Sequence, residues 1–227
     1  MSNKHKLAAF QYDFKNVKLV WATPDADNMI ARIARVSNPA NQDNPSIAGL
    51  LNYMMREHHV SPFEMVNVCL EINTTRDIGR QILRHRSFQF QEFSGRYQTY
   101  DKLPDAPLRE CRLQDSKNRQ NSIATDDYEL AETWELAQQT ILKEAHTAYQ
   151  WALEQGIAKE QARALLPEGL TASRMYMNGN LRSWIHYLQV RLHDSTQKEH
   201  RDIATEVLMA LNTVAPVTIE TFFKDYL

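Results

Sequence analysis

Residues 66–72, VNVCLEI, place strongly apolar side chains at every second position. Successive side chains of a β-strand point to opposite faces, so this pattern predicts a strand with one buried face and one face in a different environment. Residues 18–24, KLVWATP, predict a second strand that ends at a proline. Later in the chain, apolar residues recur with helical spacing. The order predicts an α+β fold, with an antiparallel or mixed sheet and a largely helical C-terminal half.

Periodicity and end signals predict a series of helices. We expect Asp25 or Asp27 to cap the first helix, Gly156 to close the longest, and Asn180 to cap the helix over residues 180–192. Residues 101–128 are polar and are expected to form an irregular excursion within a single domain of residues 1–227. The predicted helices cover residues 28–37, 46–59, 74–86, 133–156, 159–167, 180–192 and 197–216.

The overall charge argues against a binder of nucleic acid. The 227 residues include 26 Lys and Arg and 28 Asp and Glu, for a net charge of −2. Proteins dedicated to DNA or RNA usually carry a clear basic excess. Positive charge that is concentrated locally is better suited to a small anionic ligand.

The cysteines and the hydropathy indicate the expected compartment. Cys69 and Cys111 form neither a disulfide framework nor a CxxC metal site, so a reducing compartment is the default expectation. The first residues, MSNKHKLAAFQYDF, lack the apolar run of a signal peptide. The sequence contains no run of 18 apolar residues, so we predict no membrane-spanning helix. We therefore expect a soluble cytoplasmic protein.

Residues 84–97, RHRSFQFQEFSGRY, interleave three arginines with phenylalanines. Guanidinium groups bind phosphate in a bidentate way, and glycine at position 95 permits close backbone approach. Ser94 can donate a hydrogen bond, while Glu92 can accept one from a ribose hydroxyl or a base N–H. The segment therefore predicts a nucleotide pocket. Upstream, Arg76 and Arg80 precede Arg84 along one helical face, where a solvated stripe paired with acids is an equally good interpretation.

Two histidine-containing patterns indicate no further chemistry. Residues 58–64, HHVSPFE, contain the residue types of a Ser–His–acid hydrolase, but a helix end with a turn at Pro62 is the better interpretation. His186, His193 and His200 recur every seventh residue, which is roughly 10.5 Å per step on a helix. Two of them could not bind one metal, so we predict no metal site and place His193 and His200 at the surface.

Four ordered blocks resemble the flavin-dependent thymidylate synthases. Arg84-His85-Arg86, followed seven residues later by Ser94, matches the RHRx7S signature of that family. The resemblance runs from about residue 28 to the C-terminus. The other blocks are HxSPFE at residues 59–64, ARxLLP at 162–167 and GNLRSWxxYLxxR at 179–191.

The resemblance implies a homotetramer in which several subunits build each active site. Arg191 would be catalytic, contacting the uracil and favouring its ionisation at N3. The FAD-binding positions implied are His59, Ser61, Arg84, His85, Arg86, Glu92, Asn180, Arg182 and His186. The dUMP-binding positions implied are Gln81, Arg84, Glu92, Ser94, Gly95, Arg96, Arg163 and Arg191.

The activity implied is reductive methylation of dUMP to dTMP. Methylenetetrahydrofolate would give the one-carbon unit, and NADPH would reduce the FAD that supplies hydride. Neither Cys69 nor Cys111 lies within a matching block, which is consistent with a reaction that needs no cysteine nucleophile. No GxGxxG occurs, so a Rossmann domain is not expected to hold the flavin.

Some positions depart from the family pattern. Gln89 and Gln91 stand where many members have serine and asparagine, and His186 stands where some have asparagine. Ser195 stands where several have histidine, so no flavin contact is assigned to it. Two alternatives stay open: a related flavin enzyme that modifies C5 of another uridine nucleotide, and a non-enzymatic nucleic-acid binder. Phe88, Phe90 and Phe93 are interpreted as packing residues rather than rings that stack on flavin.

Overall fold

The computed structural model describes residues 16–227, so the expectation about a signal peptide falls on residues outside the described part. The strands are β1 (Val17–Ala22), β2 (Asn67–Thr75), β3 (Gln89–Glu92), β4 (Arg112–Gln114), β5 (Ser122–Ala124) and β6 (Ala172–Asn180). The helices are α1 (Ala26–Ala34), α2 (Ala48–Arg56), α3 (Arg76–Ile82), α4 (Tyr128–Glu154), α5 (Lys159–Ala162), α6 (Leu181–Arg191), α7 (Lys198–Val214) and α8 (Pro216–Phe223).

A four-stranded sheet in the order β1-β2-β6-β3 forms the framework, and all of its neighbouring strands are antiparallel. The alternation at residues 66–72 correctly predicted β2, because Val68, Leu70 and Ile72 are completely buried. On the same face Leu70 lies opposite Met177 of β6, which is also buried. The α+β class with an antiparallel sheet is therefore confirmed, although β3 and β6 were not predicted.

Helices α6, α7 and α8 belong to the same hydrophobic core as the inner face of the sheet. Trp184 of α6 is fully buried, and its indole N–H donates to the carbonyl of Val68 over 3.2 Å. Aromatic burial of this size is a main source of core stability. Phe88 packs against Trp184 with 4.6 Å between ring centroids, which supports the interpretation of this phenylalanine as a packing residue.

Two predicted helix ends are confirmed in detail. The side chain of Asn180 accepts a hydrogen bond from the backbone N–H of Ser183, at 2.9 Å, and so caps α6. Gly156 follows α4 with φ 74°, a left-handed conformation that glycine adopts at little cost. The backbone N–H groups of Gly156 and Ile157 close the end of α4 on the carbonyls of Leu153 and Ala152.

The first predicted cap requires a correction. Asp25 precedes α1, but its carboxylate accepts from the side chain of Asn28 instead of a backbone N–H. Asp27 lies inside α1 and is buried, where it accepts hydrogen bonds from the backbone N–H groups of Val217 and Thr218. It therefore caps α8, a helix 190 residues later in the chain, and this tertiary capping has no local sequence signal.

The helix before the arginine-rich segment is shorter than predicted. Helix α3 ends at Ile82, and the next residues form a turn that leads into β3. Arg84 therefore lies beyond the helix and does not continue the face of Arg76 and Arg80. Arg80 forms an ion pair with Glu168, and Arg76 donates to the hydroxyl of Tyr100 over 2.8 Å, so both are engaged by protein groups.

Residues 101–128 were predicted to form an irregular excursion. This prediction is wrong in part, because the segment contains the hairpin β4–β5. Strands of three residues are too short to produce a recognisable alternation. Helix α4 begins at Tyr128, earlier than predicted, with the Asp127 carboxylate accepting from the N–H of Leu130. Within residues 16–227, no helix combines the length and apolar character that a membrane crossing requires.

Candidate nucleotide and flavin site

The end of α6 brings Arg191 to the turn that carries the RHR sequence. Its Nε donates a hydrogen bond to Nε2 of His85 over 2.9 Å. A guanidinium has no acceptor, so the accepting nitrogen of His85 is unprotonated. Burial, together with the nearby Arg191 and His186, lowers the pKa of His85 to about 4. A neutral imidazole therefore holds a cationic guanidinium at neutral pH.

His200 lies behind this pair, and its placement at the surface was wrong: it is fully buried. Its Nε2 lies 3.1 Å from the hydroxyl of Tyr187, and its Nδ1 lies 3.2 Å from Oε1 of Gln81. Burial, with smaller effects from Arg191 and His85, lowers the pKa of His200 to about 3. The surface prediction failed because the apolar face of α7 turns this residue into the core.

From Gln81 the hydrogen bonds continue toward the β4–β5 hairpin. Nε2 of Gln81 donates to Gln197 over 2.8 Å, and Nε2 of Gln197 donates to Glu199 over 2.9 Å. The other carboxylate oxygen of Glu199 accepts from Arg112 over 2.6 Å. A continuous path thus joins the predicted dUMP position Gln81 to a segment for which the sequence indicated no function.

One cleft, about 600 Å³ in volume, gathers three of the predicted flavin positions. Asn180, Arg182 and His186 line it, and the last two are exposed on one face of α6, as their spacing predicts. The volume lies within the range of small-molecule sites. Arg182 forms an ion pair with Glu64, which also lines the cleft.

The remaining predicted flavin positions lie outside the lining of this cleft. The side chains of Arg84 and Arg86 are exposed and make no hydrogen bond or ion pair with another described residue. His59 is exposed and meets the ring of Tyr53 edge-on, with 5.7 Å between centroids. Ser61 is exposed at the start of a 3₁₀ helix over Ser61–Met65. These are free guanidinium, imidazole and hydroxyl groups.

A second cleft, about 790 Å³, contains two predicted dUMP positions, Ser94 and Arg96. Nε of Arg96 pairs with Glu160 across the cleft at 3.0 Å. Gly95 is buried between them, and a β-carbon there would lie 2.5 Å from the ring of Tyr100. The tight packing of Tyr100 therefore gives a structural reason for glycine at this position.

Glu92 and Arg163 are the last predicted site residues. The carboxylate of Glu92 accepts a hydrogen bond from Ser173 over 2.7 Å, which fixes it against β6. Arg163 begins a 3₁₀ turn, Arg163–Leu165, and lines neither of the two clefts. The structure thus pairs Arg191 with His85 and, separately, connects Gln81 to His200 and Tyr187 by hydrogen bonds. The rings of His85 and Tyr187, with 4.9 Å between centroids, bring the two groups into contact. The other predicted positions are distributed over two clefts and the exposed surface.

The residues that line the two clefts include groups suited to binding an anion. No hydrogen bond joins the histidines of residues 58–64 to Ser61 or Glu64 within the described chain. Among residues 16–227, no cluster of three His, Cys, Asp or Glu side chains is arranged to hold a metal. Arg182 lines the first cleft and Arg96 the second, and guanidinium groups are well suited to phosphate recognition.

Comparison with known proteins identifies the family. Residues 18–217 match the family described as thymidylate synthase complementing protein. A flavin-dependent thymidylate synthase of Synechocystis sp. is 51% identical over 178 residues, which cover 78% of this chain and 80% of the relative. The chain belongs to the family of the flavin-dependent thymidylate synthases. The family match begins ten residues before residue 28, where the motif resemblance was expected to begin.

Other members extend the comparison. A flavin-dependent thymidylate synthase of Dictyostelium discoideum is 31% identical over an alignment that covers 100% of this chain and 77% of the relative. The crystal structure of the UMP/dUMP methylase PolB from Streptomyces cacaoi, bound with 5-Br dUMP, superposes with a TM-score of 0.77 and 29% identity. The superposition covers 92% of this chain and 94% of PolB. A second PolB structure, bound with 5-Br UMP, matches equally well.

Several residues of the site were not found from the sequence. His58, Glu64 and Ser87 line the first cleft, while Tyr187, His200 and Glu199 support Gln81. The left-handed backbone of His58, with φ 55°, has no clear local signal. Glu64 and Ser87 do lie within or beside recognised motifs, so their neighbourhood was a usable signal. The contacts of Tyr187 and His200 form only in the folded chain.

Proposed function

We propose that the chain methylates C5 of dUMP to give dTMP, with methylenetetrahydrofolate as the one-carbon donor, FAD as the flavin and NADPH as the reductant. The observation that carries the proposal is the Arg191–His85 pair. It fixes a guanidinium, bordered by a neutral imidazole, beside the RHR turn. Burial lowers the pKa of Arg191, and a poorly solvated charge attracts a developing anion more strongly than one in water.

On this proposal Arg191 contacts the uracil ring and stabilises negative charge that develops on it. Charge stabilisation of this kind is usually the largest single contribution to catalysis. Gln81, Ser94, Gly95, Arg96 and Arg163 would hold the nucleotide, with Arg84 and Glu92 shared between ligands. Arg96 pairs with Glu160 at 3.0 Å in this structure. A bound nucleotide phosphate would replace Glu160 as the partner of Arg96.

The donor set of the first cleft fits a ligand that carries a diphosphate. The half-exposed guanidinium of Arg182 lines this cleft with His186 and Asn180. Outside the lining, Arg84 and Arg86 offer two further exposed charges. Bound FAD would supply the hydride needed to form the methyl group. Its phosphates would compete with Glu64 for Arg182. His59, Ser61, His85 and Glu92 complete the proposed flavin set.

A homotetramer is the assembly that we propose. Helix α4 leaves large apolar side chains exposed: Leu136 is 57% exposed, Ile141 56% and Trp151 56%. Exposed apolar residues at this density on one helix favour a protein partner. In such an assembly, clefts of neighbouring subunits would come together and unite the site residues that are divided between them in one chain. A cytoplasmic location is proposed as well.

A second candidate substrate is UMP. The similarity to PolB, described as a UMP/dUMP methylase and crystallised with both 5-Br dUMP and 5-Br UMP, favours testing it. The two substrates differ only at the sugar 2′ position. A site built to reject the ribonucleotide would need close packing or an unpaired polar group at that position.

NADPH oxidation by the purified, FAD-loaded protein tests the proposal. We expect dUMP to stimulate oxidation and UMP to have little effect. Stimulation by UMP alone would favour the second candidate. If the protein binds no flavin and oxidises no NADPH under either condition, the proposed activity is wrong.

A further inference from the structure

His200 is a buried histidine with hydrogen-bond partners on both ring nitrogens, and none of the proposed steps uses it. It lies on α7, 119 residues from Gln81 in the chain but 3.2 Å away in the fold. We propose that His200 is a positioning residue that orients the Gln81 amide toward the pyrimidine nucleotide. The inference rests on the proposed role of Gln81 in binding dUMP.

The direction of the hydrogen bonds can be fixed from one end. Glu199 is held by Arg112 at 2.6 Å; burial would raise the pKa of its carboxyl, but the hydrogen bond from Arg112 and further contacts lower it. An ionised carboxylate can only accept hydrogen bonds. The side-chain amide of Gln197 must therefore donate to Glu199, which leaves Oε1 of Gln197 to accept from Nε2 of Gln81.

The same reasoning fixes the tautomer of His200. With Nε2 of Gln81 committed to Gln197, Oε1 of Gln81 faces the imidazole and accepts from it. Nδ1 of His200 therefore carries the proton, and Nε2 accepts from the hydroxyl of Tyr187 at 3.1 Å. A neutral imidazole with one proton is the species that burial favours here. Every donor in the path points from Tyr187 toward Glu199.

The path leaves Gln81 with a defined pair of free groups. One amide hydrogen and one lone pair of its carbonyl oxygen remain after the two internal hydrogen bonds. Gln81 is only half-buried, so these groups are accessible. A uracil edge offers the complementary donor and acceptor. Without His200 the amide could rotate, and the nucleotide would have to order it at an entropic cost.

The alternative interpretation is that His200 only stabilises the core, and substitutions separate the two. His200→Leu fills a similar volume but cannot donate to Gln81. His200→Asn places an amide N–H₂ near the position of Nδ1 and should restore the donor. The control is Leu208→Ala, a truncation of a completely buried side chain on the same helix, eight residues away or about 12 Å along the helix axis.

The experiment measures the Kd for dUMP, the flavin content and the Tm of the FAD-loaded protein and its variants. We expect His200→Leu to weaken dUMP binding by roughly three- to tenfold, as the loss of one hydrogen-bonded contact implies, without loss of flavin. His200→Asn should recover most of this affinity. Leu208→Ala should lower the Tm while leaving dUMP affinity within about twofold, as expected for an independent site.

Three results would overturn the inference. The first is dUMP binding by His200→Leu as tight as by the unaltered protein. The second is a loss of binding in Leu208→Ala as large as that in His200→Leu. The third is recovery of the Tm without recovery of affinity in His200→Asn. In each case His200 would be a core residue only, while the proposed function would stand. Failure of the unaltered, FAD-loaded protein to bind dUMP would instead overturn the proposed function and this inference with it.

Discussion

Arg191 and His85 are 106 residues apart in the chain, yet the guanidinium of one donates directly to the imidazole of the other over 2.9 Å. The bond ties the end of α6 to the turn between α3 and β3. The imidazole must accept this bond, and burial together with the nearby charge of Arg191 lowers the pKa of His85, so Arg191 favours the neutral form of His85. The uracil-binding position implied by the resemblance is therefore part of the same unit as the RHR signature.

Arg191→Ala should lower turnover of dUMP by roughly 100-fold or more, as expected when a charge that stabilises the transition state is removed. The flavin should be retained, since Arg191 lines neither described cleft. Steady-state rates and the absorbance of protein-bound flavin measure both quantities. Arg201→Ala, which removes a second arginine that pairs with Asp194, is the matched control and should stay near the unaltered rate. Normal turnover in Arg191→Ala would refute the assignment of Arg191 as the catalytic residue that contacts the uracil ring.

Arg84→Ala should weaken both dUMP and FAD. Its guanidinium is exposed and is not committed to another described residue, so it is available to anionic ligands. We expect each Kd to rise by about tenfold, the effect of losing one charge-assisted hydrogen bond. Arg80→Ala is the control, because Arg80 is already paired with Glu168. Unchanged affinity for both ligands in Arg84→Ala would contradict the prediction.

Gly179→Ala should destabilise the fold. A β-carbon at this position would lie 2.4 Å from the ring of Phe88, which packs in the core beside Trp184. Overpacking of this kind costs about 1–3 kcal/mol. Gly49→Ala is the control, since a β-carbon there meets nothing within 4 Å and alanine favours helix α2. Urea denaturation should show a lower free energy of unfolding in Gly179→Ala but not in Gly49→Ala. Equal stability of the two variants would refute the packing argument.

Acidification should destabilise the protein in part through His200. Its pKa is about 3 in the fold, against an ordinary value of 6.5. As the pH falls below 6.5, the unfolded chain binds a proton that the folded chain does not, so stability that is fully present above this pH is progressively lost. The loss is at most about 1.4 kcal/mol per pH unit. Between about pH 6 and 4, the free energy of unfolding of His200→Leu should therefore fall less steeply with decreasing pH than that of the unaltered protein. Equal slopes in urea denaturation would contradict this.

The parts of the fold that the sequence predicted are those with local signals. The alternation of β2 and the caps at Asn180 and Gly156 depend on residues only a few positions apart. Strand β6 was missed although Met175 and Met177 alternate with polar residues, because Gly179 and Ser173 occupy buried positions that usually carry larger apolar groups. Their small size is explained only by the neighbouring segment, where Phe88, just before β3, lies against Gly179 and Glu92 of β3 bonds Ser173.

The site was predicted less completely for a related reason. The resemblance supplied Gln81, His85 and Arg191 as separate positions, but neither the hydrogen bond between Arg191 and His85 nor that between Gln81 and His200. His200 was placed at the surface because a polar side chain is usually exposed, although Ile203, Ala204 and Val207 follow it at the spacing of a buried helical face. Its partners lie 13 and 119 residues away, so only the tertiary structure brings them into contact.

The most direct test of the proposed activity is the mass of the nucleotide product. The FAD-loaded protein would be incubated with dUMP, methylenetetrahydrofolate and NADPH, and the nucleotide analysed by mass spectrometry. The account predicts dTMP, heavier than dUMP by one CH₂ group, and no such product when the folate is omitted. Recovery of unchanged dUMP from protein that has bound flavin and oxidised NADPH would contradict the proposal that this chain is a thymidylate synthase.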